Sequence, residues 1–296
     1  MKKKLFLAIG ALGAFALASC DAQDEKQINE AIDGKSEAEI IKMVSDANKD
    51  ADLKEAYKDG LKLTADYKLK GNLNVSNYAT GDLNLTGDFS MIYNETGVQA
   101  NASAKLKANI KASTGFSTTE SKLNIKVNAT AESLNEEDYS YVYASVTGEA
   151  EDTKLDNEVK YKYAKDNSST GNIELPNVGD LGIDISELQA HLNDASITVD
   201  DGMLLFTWDT SKLSTLFDNV DNVTLNGLDG SVVVGFDTQF HLKKIKVDLK
   251  ADEATTKYSG MSVSITDVTV YLDCDAKAGS YSIKSLKDKD SYVLAK

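Results

Sequence analysis

The sequence predicts an α+β chain, mostly β, built as a long curved antiparallel sheet with helices covering its concave face. Three observations predict it. From Leu61 onward apolar residues return at every second position, the period of a half-buried strand. The alternate positions are filled by lysine, asparagine, serine and threonine, so one face of each strand must meet water while the other must be covered. A helical period with its own start signal precedes the first strand, and a shorter one recurs mid-chain.

Taken in order, residues 21–34 are polar, with Asp21, Asp24 and Glu25, and are expected to form a tether. Ser36 with Glu39 makes a capping-box pattern, after which Ile40, Ile41, Val44 and Ala47 fall at helical spacing, predicting a helix over 36–48. A second helical piece is expected from Leu53 to Leu61, with Leu53, Ala56 and Tyr57 on one side.

The alternation then takes over. Leu61, Leu63, Ala65, Tyr67, Leu69, Gly71, Leu73 and Val75 alternate with polar residues, and Leu83 to Tyr93 repeat the pattern up to a hairpin turn at Asn94-Glu95-Thr96-Gly97. Val98 to Ala112, Leu123 to Ala131, Tyr139 to Ala150 and Leu155 to Tyr163 complete a predicted six-strand meander. Residues 166–182 read as a loop holding the single proline, Pro176, and Asp184 with Glu187 opens a short helix through Leu192. Strands are expected at Ile197–Val199 and Leu204–Trp208, then a helical turn with Leu213, Leu216 and Phe217. Four more strands are expected, at Val232–Phe236, Leu242–Ala251, Met261–Leu272 and Tyr281–Leu286. Apolar parity slips between Leu242 and Ile245 and between Ile265 and Val268, which predicts a bulge at each place. Residues 35–296 therefore read as one domain, with two domains split near residue 170 as the alternative.

The first 19 residues read as a processing signal. Lys2, Lys3 and Lys4 precede an apolar run from Leu5 to Ala18, too short for the roughly 20 residues of a permanent membrane helix. The run ends in Leu17-Ala18-Ser19-Cys20, which resembles the lipobox of bacterial lipoproteins. That resemblance implies cleavage before Cys20, a diacylglyceryl group on its thiol, and an extracytoplasmic protein whose partner is the membrane that holds its anchor. Residues 20–34 would then be the tether. Cys274, left without a partner in its own chain, reads as a small apolar side chain in a strand.

Composition narrows the chemistry further. All 32 basic residues are lysine, and 47 acidic residues bring the net charge to −15, so a nucleic-acid role is poorly supported. His191 and His241 are the only histidines, and the chain has no G-x-S-x-G, H-E-x-x-H, C-x-x-C or phosphate-loop motif. Asp46, Asn48, Asp50 and Asp52 imitate the start of a calcium loop, but Ala51 and Tyr57 stand where its glycine and closing glutamate belong. No catalytic residue, metal site or cofactor is expected, and the chain reads as a non-enzyme.

What covers the apolar face decides the function. Ala100, Ala102, Ala104, Ala108 and Ala112, with Leu106 and Ile110, line one strand where larger residues would fill a tight core. Small side chains leave room for a closely packed helix or for an apolar ligand such as an acyl chain. An anchored chain with this sheet, these helices and this inner face resembles the LolA/LolB and LppX/LprG group of bacterial lipoprotein and lipid carriers. The resemblance implies a half-open barrel holding acyl chains beneath helices, although that group's inner arginine has no counterpart here. The reading is a membrane-anchored protein binding a lipid or other apolar ligand between sheet and helices. The alternative is a structural or surface-interaction lipoprotein with a self-filled core.

Overall fold

The computed structural model describes residues 22–49, 56–76, 78–113, 117–150, 153–164, 191–213, 223–258 and 261–295. The expected leader, Cys20, the helical piece before Ala56, the 166–182 loop, the 184–190 part of the mid-chain helix, and Leu216 and Phe217 lie outside these residues.

Thirteen strands among the described residues join in one curved, unclosed sheet. The predicted meander is present as β1 (Leu61–Val75), β2 (Ala79–Asn94), β3 (Gly97–Ser113), β4 (Thr118–Asn135), β5 (Tyr139–Ala150) and β6 (Thr153–Ala164), each antiparallel to the next. A second set follows: β7 (Ser196–Asp200), β8 (Met203–Asp209), β9 (Val223–Asn226), β10 (Asp229–Phe236), β11 (Leu242–Tyr258) and β12 (Met261–Ala278). Its last strand returns against the first of the other set, so that Leu61 lies beside Ala278 and Val75 beside Val263. Strands from both halves of the chain therefore share one hydrogen-bonded ladder. β9 and β10 run end to end along β11, separated by Gly227 and Leu228.

Both predicted bulges are found. Between β1 and β12 the pairing steps from Lys70/Thr269 to Asn72/Thr266, setting Asp267 and Val268 against Gly71, with Asp267 at φ 51°. Between β10 and β11 it steps from Gly235/Lys244 to Phe236/Leu242, leaving Lys243 as the extra residue. An extra residue restores the side-chain parity that the two-residue period would otherwise lose, so the apolar side chains on either side of each bulge share a face.

Two helices pack on that apolar face. α1 (22–32) replaces the expected tether. Its polar composition hides a pair one turn apart, Ile28 and Ile32, which pack into the main core with Ile28 fully buried. Lys26 and Glu30 face outward as a 3.7 Å ion pair, and Gly34, at φ +70°, follows the helix end. α2 (Glu37–Ala47) begins as predicted: Ser36 Oγ accepts from the Glu39 amide at 3.4 Å, and a Glu39 carboxylate oxygen accepts from the Ser36 amide at 2.8 Å. These hydrogen bonds hold the Glu39 carboxyl below its ordinary pKa, backbone bond first. Ile40 and Val44 point into the core, where they meet Leu204, Phe206 and Trp208 of β8 and Val234 and Phe236 of β10. The Phe206 and Phe236 rings meet edge to face at 5.6 Å.

Asn48 ties α2 to the sheet. Its side-chain amide donates to Val44 O at 2.8 Å and Phe240 O at 2.6 Å, while its oxygen accepts from the Leu242 amide at 3.1 Å. Tyr57 Oη adds a bond to Leu242 O at 3.2 Å, and burial, followed by the charge of Asp237, raises the Tyr57 phenol well above its ordinary pKa.

The C-terminus departs from expectation. Residues 281–286 are not a strand; they cross the polar face of the sheet, where Ile283, Leu286 and Tyr292 pack on Leu134, Tyr139, Tyr141 and Tyr143. The chain ends in β13 (Val293–Leu294), parallel to β6 at the sheet edge. The reason is legible in β5: Tyr139, Tyr141 and Tyr143 alternate with Val142, Ala144 and Val146, so this strand is apolar on both faces and both must be covered.

Replacing Asn48 with alanine strands the buried Leu242 amide and should cost about 1–3 kcal/mol of unfolding free energy. Urea unfolding of the two proteins checks this, and an unchanged midpoint would deny Asn48 its tying role.

Candidate functional site

The apolar face carries a cavity of about 380 Å³ over β9 to β12. It is lined by Leu225, Leu228, Val232, Val247, Leu249, Ala251, Val268 and Val270, together with Lys250. Cross-strand register explains the void. Leu249 stands between Val270 of β12 and Gly230 of β10, so one side of it has no side chain, and Ala251 opposite Val268 supplies only a methyl group. Gly230 cannot be enlarged in place: it adopts φ +125°, and a Cβ there would stand 2.0 Å from Asp248 O. Val268 and Val270 share this face by strand alternation, and the β12 bulge brings Ile265 onto it as well. Val232 and Leu249 also belong to the core beneath the helices, and Leu228, Val247 and Val270 pack against it, so the cavity is continuous with that core.

The alanine row lies on the same apolar face but over β3, four strand positions from β11. Ala100 packs against the cluster of Tyr57, Leu61, Leu63 and Met91, and Ala108 is buried. Ala104 pairs with Gly87, and the Tyr67 ring lies across that glycine: a Cβ on Gly87 would stand 2.3 Å from Tyr67 Oη, which donates to Ser103 O at 2.9 Å. Around Ala104, then, small residues accommodate a neighbouring tyrosine. Leu106 and Ile110 continue the face half-buried, Ala102 does so beside Phe89, and Ala112 is exposed. Toward β6 the face is open, with Val146, Leu155 and Val159 exposed.

A second cavity of about 350 Å³ lies on the polar face, between the C-terminal segment and β3 to β6, lined by Gln99, Glu132, Tyr143, Lys160 and Tyr292 with Lys284, Ser285, Lys287 and Asp288. Gln99 donates to Glu132 at 2.7 Å, and Lys160 donates to Glu158 at 3.0 Å, a bond that raises the lysine pKa. Burial raises the Tyr292 phenol. Lysine ammonium groups stand over three tyrosine rings of β5: Lys160 over Tyr143, Lys162 over Tyr139 and Lys289 over Tyr141, at 5.4 to 5.8 Å. The sequence reading missed this groove because residues 281–286 alternate like a strand.

The remaining candidates are scattered. His191 precedes a single 3₁₀ turn and offers its carbonyl to Trp208 Nε1 at 3.2 Å, while His241 sits 3.9 Å from Asp237 and beside the Tyr57 ring. Among the described residues no three His, Cys, Asp or Glu side chains converge as a metal site. Cys274 faces the apolar side between Ala65 and Ile245, half-buried and unbonded to another cysteine.

Among solved structures, the chain is similar to the translocator domain of autotransporter NalP from Neisseria meningitidis at 9% identity, over 80% of this chain and 93% of that one. The TM-score is 0.14, a likeness too slight to carry an argument. No protein family matches the chain. No curated protein matches it either.

Burial, followed by the charges of Asp275 and Asp273, raises the Cys274 thiol above its ordinary pKa. Less thiolate is thus present at pH 8 than in a free cysteine. Iodoacetamide should alkylate native Cys274 about tenfold or more slowly than the same residue in urea, with the difference narrowing as pH rises. Equal rates would place the thiol in solvent.

Proposed function

We propose that this chain is a lipid-anchored extracytoplasmic protein that binds an apolar ligand of the acyl-chain type against the apolar face of its sheet and catalyses no reaction. The observation that carries the reading is the cavity of about 380 Å³ beside Leu249, walled by aliphatic side chains. It falls within the roughly 300–1,000 Å³ of small-molecule pockets. An unclosed sheet with two helices on its apolar face supports the carrier likeness, that of a half-open barrel of the LolA/LppX kind. Lysines 2–4, the apolar run and Leu17-Ala18-Ser19-Cys20 support anchoring through an acylated Cys20. Two or more acyl chains, at about 0.8 kcal/mol per buried CH₂, hold a protein at a membrane where one chain does not.

The second reading, a surface lipoprotein with a self-filled core, draws on Tyr67 lying over Gly87 beside Ala104. The two readings assign different parts of one face, and substitutions separate them. Ala251→Phe and Val270→Phe fill the cavity; Ala104→Phe and Ala108→Phe crowd the alanine row. In the Cys20→Ser chain, native mass spectrometry and lipid extraction should recover a bound lipid, and the first pair should lower uptake of a fluorescent fatty acid about tenfold or more. Bound fatty acid at about 100 times its Kd should add about 2.7 kcal/mol of stability. Repeated recovery of bare protein with no uptake favours the self-filled reading. Loss of uptake from the alanine-row pair alone would move the site to β3.

Cys20→Ser should also move the protein from the membrane fraction to the soluble fraction and remove the acyl mass from its mature N-terminus. A protein that stays with the membrane after this change is held there by something else.

A further inference from the structure

We infer that the polar face of β1, β3 and β4 is a binding surface for a linear acidic polysaccharide. The register places Lys68, Lys105 and Lys126 in one cross-strand row, with Thr86 between the first two, and Lys70 and Lys107 in the next row, with Asn84 between them and Asn124 beyond. Strands lie about 4.8 Å apart and successive same-face residues about 6.8 Å apart, so five ammonium groups crowd a strip two rows deep. Lys70, Lys107 and Lys126 are exposed, and Lys68 and Lys105 half-exposed.

This placement opposes the fold's own stability. Lys105 stands directly across from Lys126, a like-charge pair that destabilises a sheet. The chain has 47 acidic residues and a net charge of −15, so neutralising partners are plentiful. Yet none of the five lysines forms an ion pair with a described carboxylate. The nearest acids are held elsewhere or stand off: Asp88 accepts from Ser103 Oγ, Asp82 accepts from Asn109 at 2.9 Å, and Glu149, across from Lys126, makes no ion pair with it. A cationic strip left uncompensated on an acidic protein is complementary to a polyanion.

The neighbours of the lysines narrow the polyanion. Lysines are point charges that bind carboxylates and phosphates alike, without the fork that grips either in two bonds. Thr86 and the exposed Asn124 donate and accept, as sugar hydroxyls require, while Asn84 Oδ1 is buried without a partner. No aromatic side chain lies between the lysines and a lone ring, Tyr271, flanks the row beside Lys68, so successive bases have no series of rings to stack on. Asp66 and Asp88 border the strip on one side, and on the other the next row holds Asn72, Asp82 and Asn109 with Lys122 at its far end, giving a track for a chain rather than a plane for a membrane. The inference is independent of the apolar cavity, which lies on the other face.

The test uses the Cys20→Ser chain and polygalacturonate, with dextran, polyphosphate and phosphatidylglycerol vesicles beside it. Calorimetry at low salt should show binding to polygalacturonate and not dextran, and affinity should fall steeply as salt rises. The triple variant Lys68→Gln, Lys105→Gln, Lys126→Gln should bind about tenfold or more weakly, while Lys26→Gln with Lys42→Gln on the helices leaves affinity unchanged. Acetylation footprinting of the unsubstituted chain, which needs no variant to fold, should show the five lysines protected by the polymer. Absence of binding at low salt, equal loss in the helix control, or unprotected strip lysines overturns the inference. Tighter binding to polyphosphate or to the vesicles overturns it in favour of that partner.

Discussion

The pairing of β1 with β12 is the constraint on which the rest of the fold depends. It joins Leu61 to Ala278 and so welds a meander built early in the chain to a second set built late. The entropy of closing so long a loop grows only with the logarithm of its length, which makes the contact affordable thermodynamically, although such non-local pairing is slow to form. Its register also sets the parity for both sets. Because side chains alternate with a period of two, a slip of one residue here would turn every apolar side chain of one set toward water. The bulge at Asp267 and Val268 is what lets Leu73 lie beside Ile265 while Leu69 lies beside Val270 on a common face.

Once that face exists it is covered in three different ways. Over β8, β10 and β11, α1 and α2 supply the cover and Trp208, Phe206 and Phe236 become fully buried. Over β2 and β3 the sheet covers itself, through Tyr67 lying across Gly87. Beside Leu249 the cover is incomplete, because the backbone at Gly230 admits no side chain. Small residues thus have opposite consequences at two places on one surface. Beside Gly87 a neighbour fills the space; beside Gly230 nothing among the lining residues does.

The polar face is not simply solvated. At one end the C-terminal segment buries Leu286 and Tyr292 against Leu134 and Tyr141, and lysines over the β5 tyrosines close that edge. Toward the other end, five lysines form no ion pair with a described carboxylate. The two faces meet different physical demands: burial of apolar area governs one, and placement of charge governs the other.

Much of this was legible in local sequence. The alternation from Leu61 determined the six-strand meander, the Ser36/Glu39 pair determined where α2 begins, and two slips of parity determined both bulges, because each of these depends on neighbours a few residues apart. Three features were decided only by the tertiary structure. α1 was hidden because two isoleucines in a polar stretch stabilise a helix only when a sheet stands ready to receive them. The strap over β5 was hidden because an extended segment alternates whether or not it finds a strand to pair with. The cavity was hidden because Gly230 and Leu249 come together through register, and a void is a property of what meets across strands, which no run of residues contains by itself.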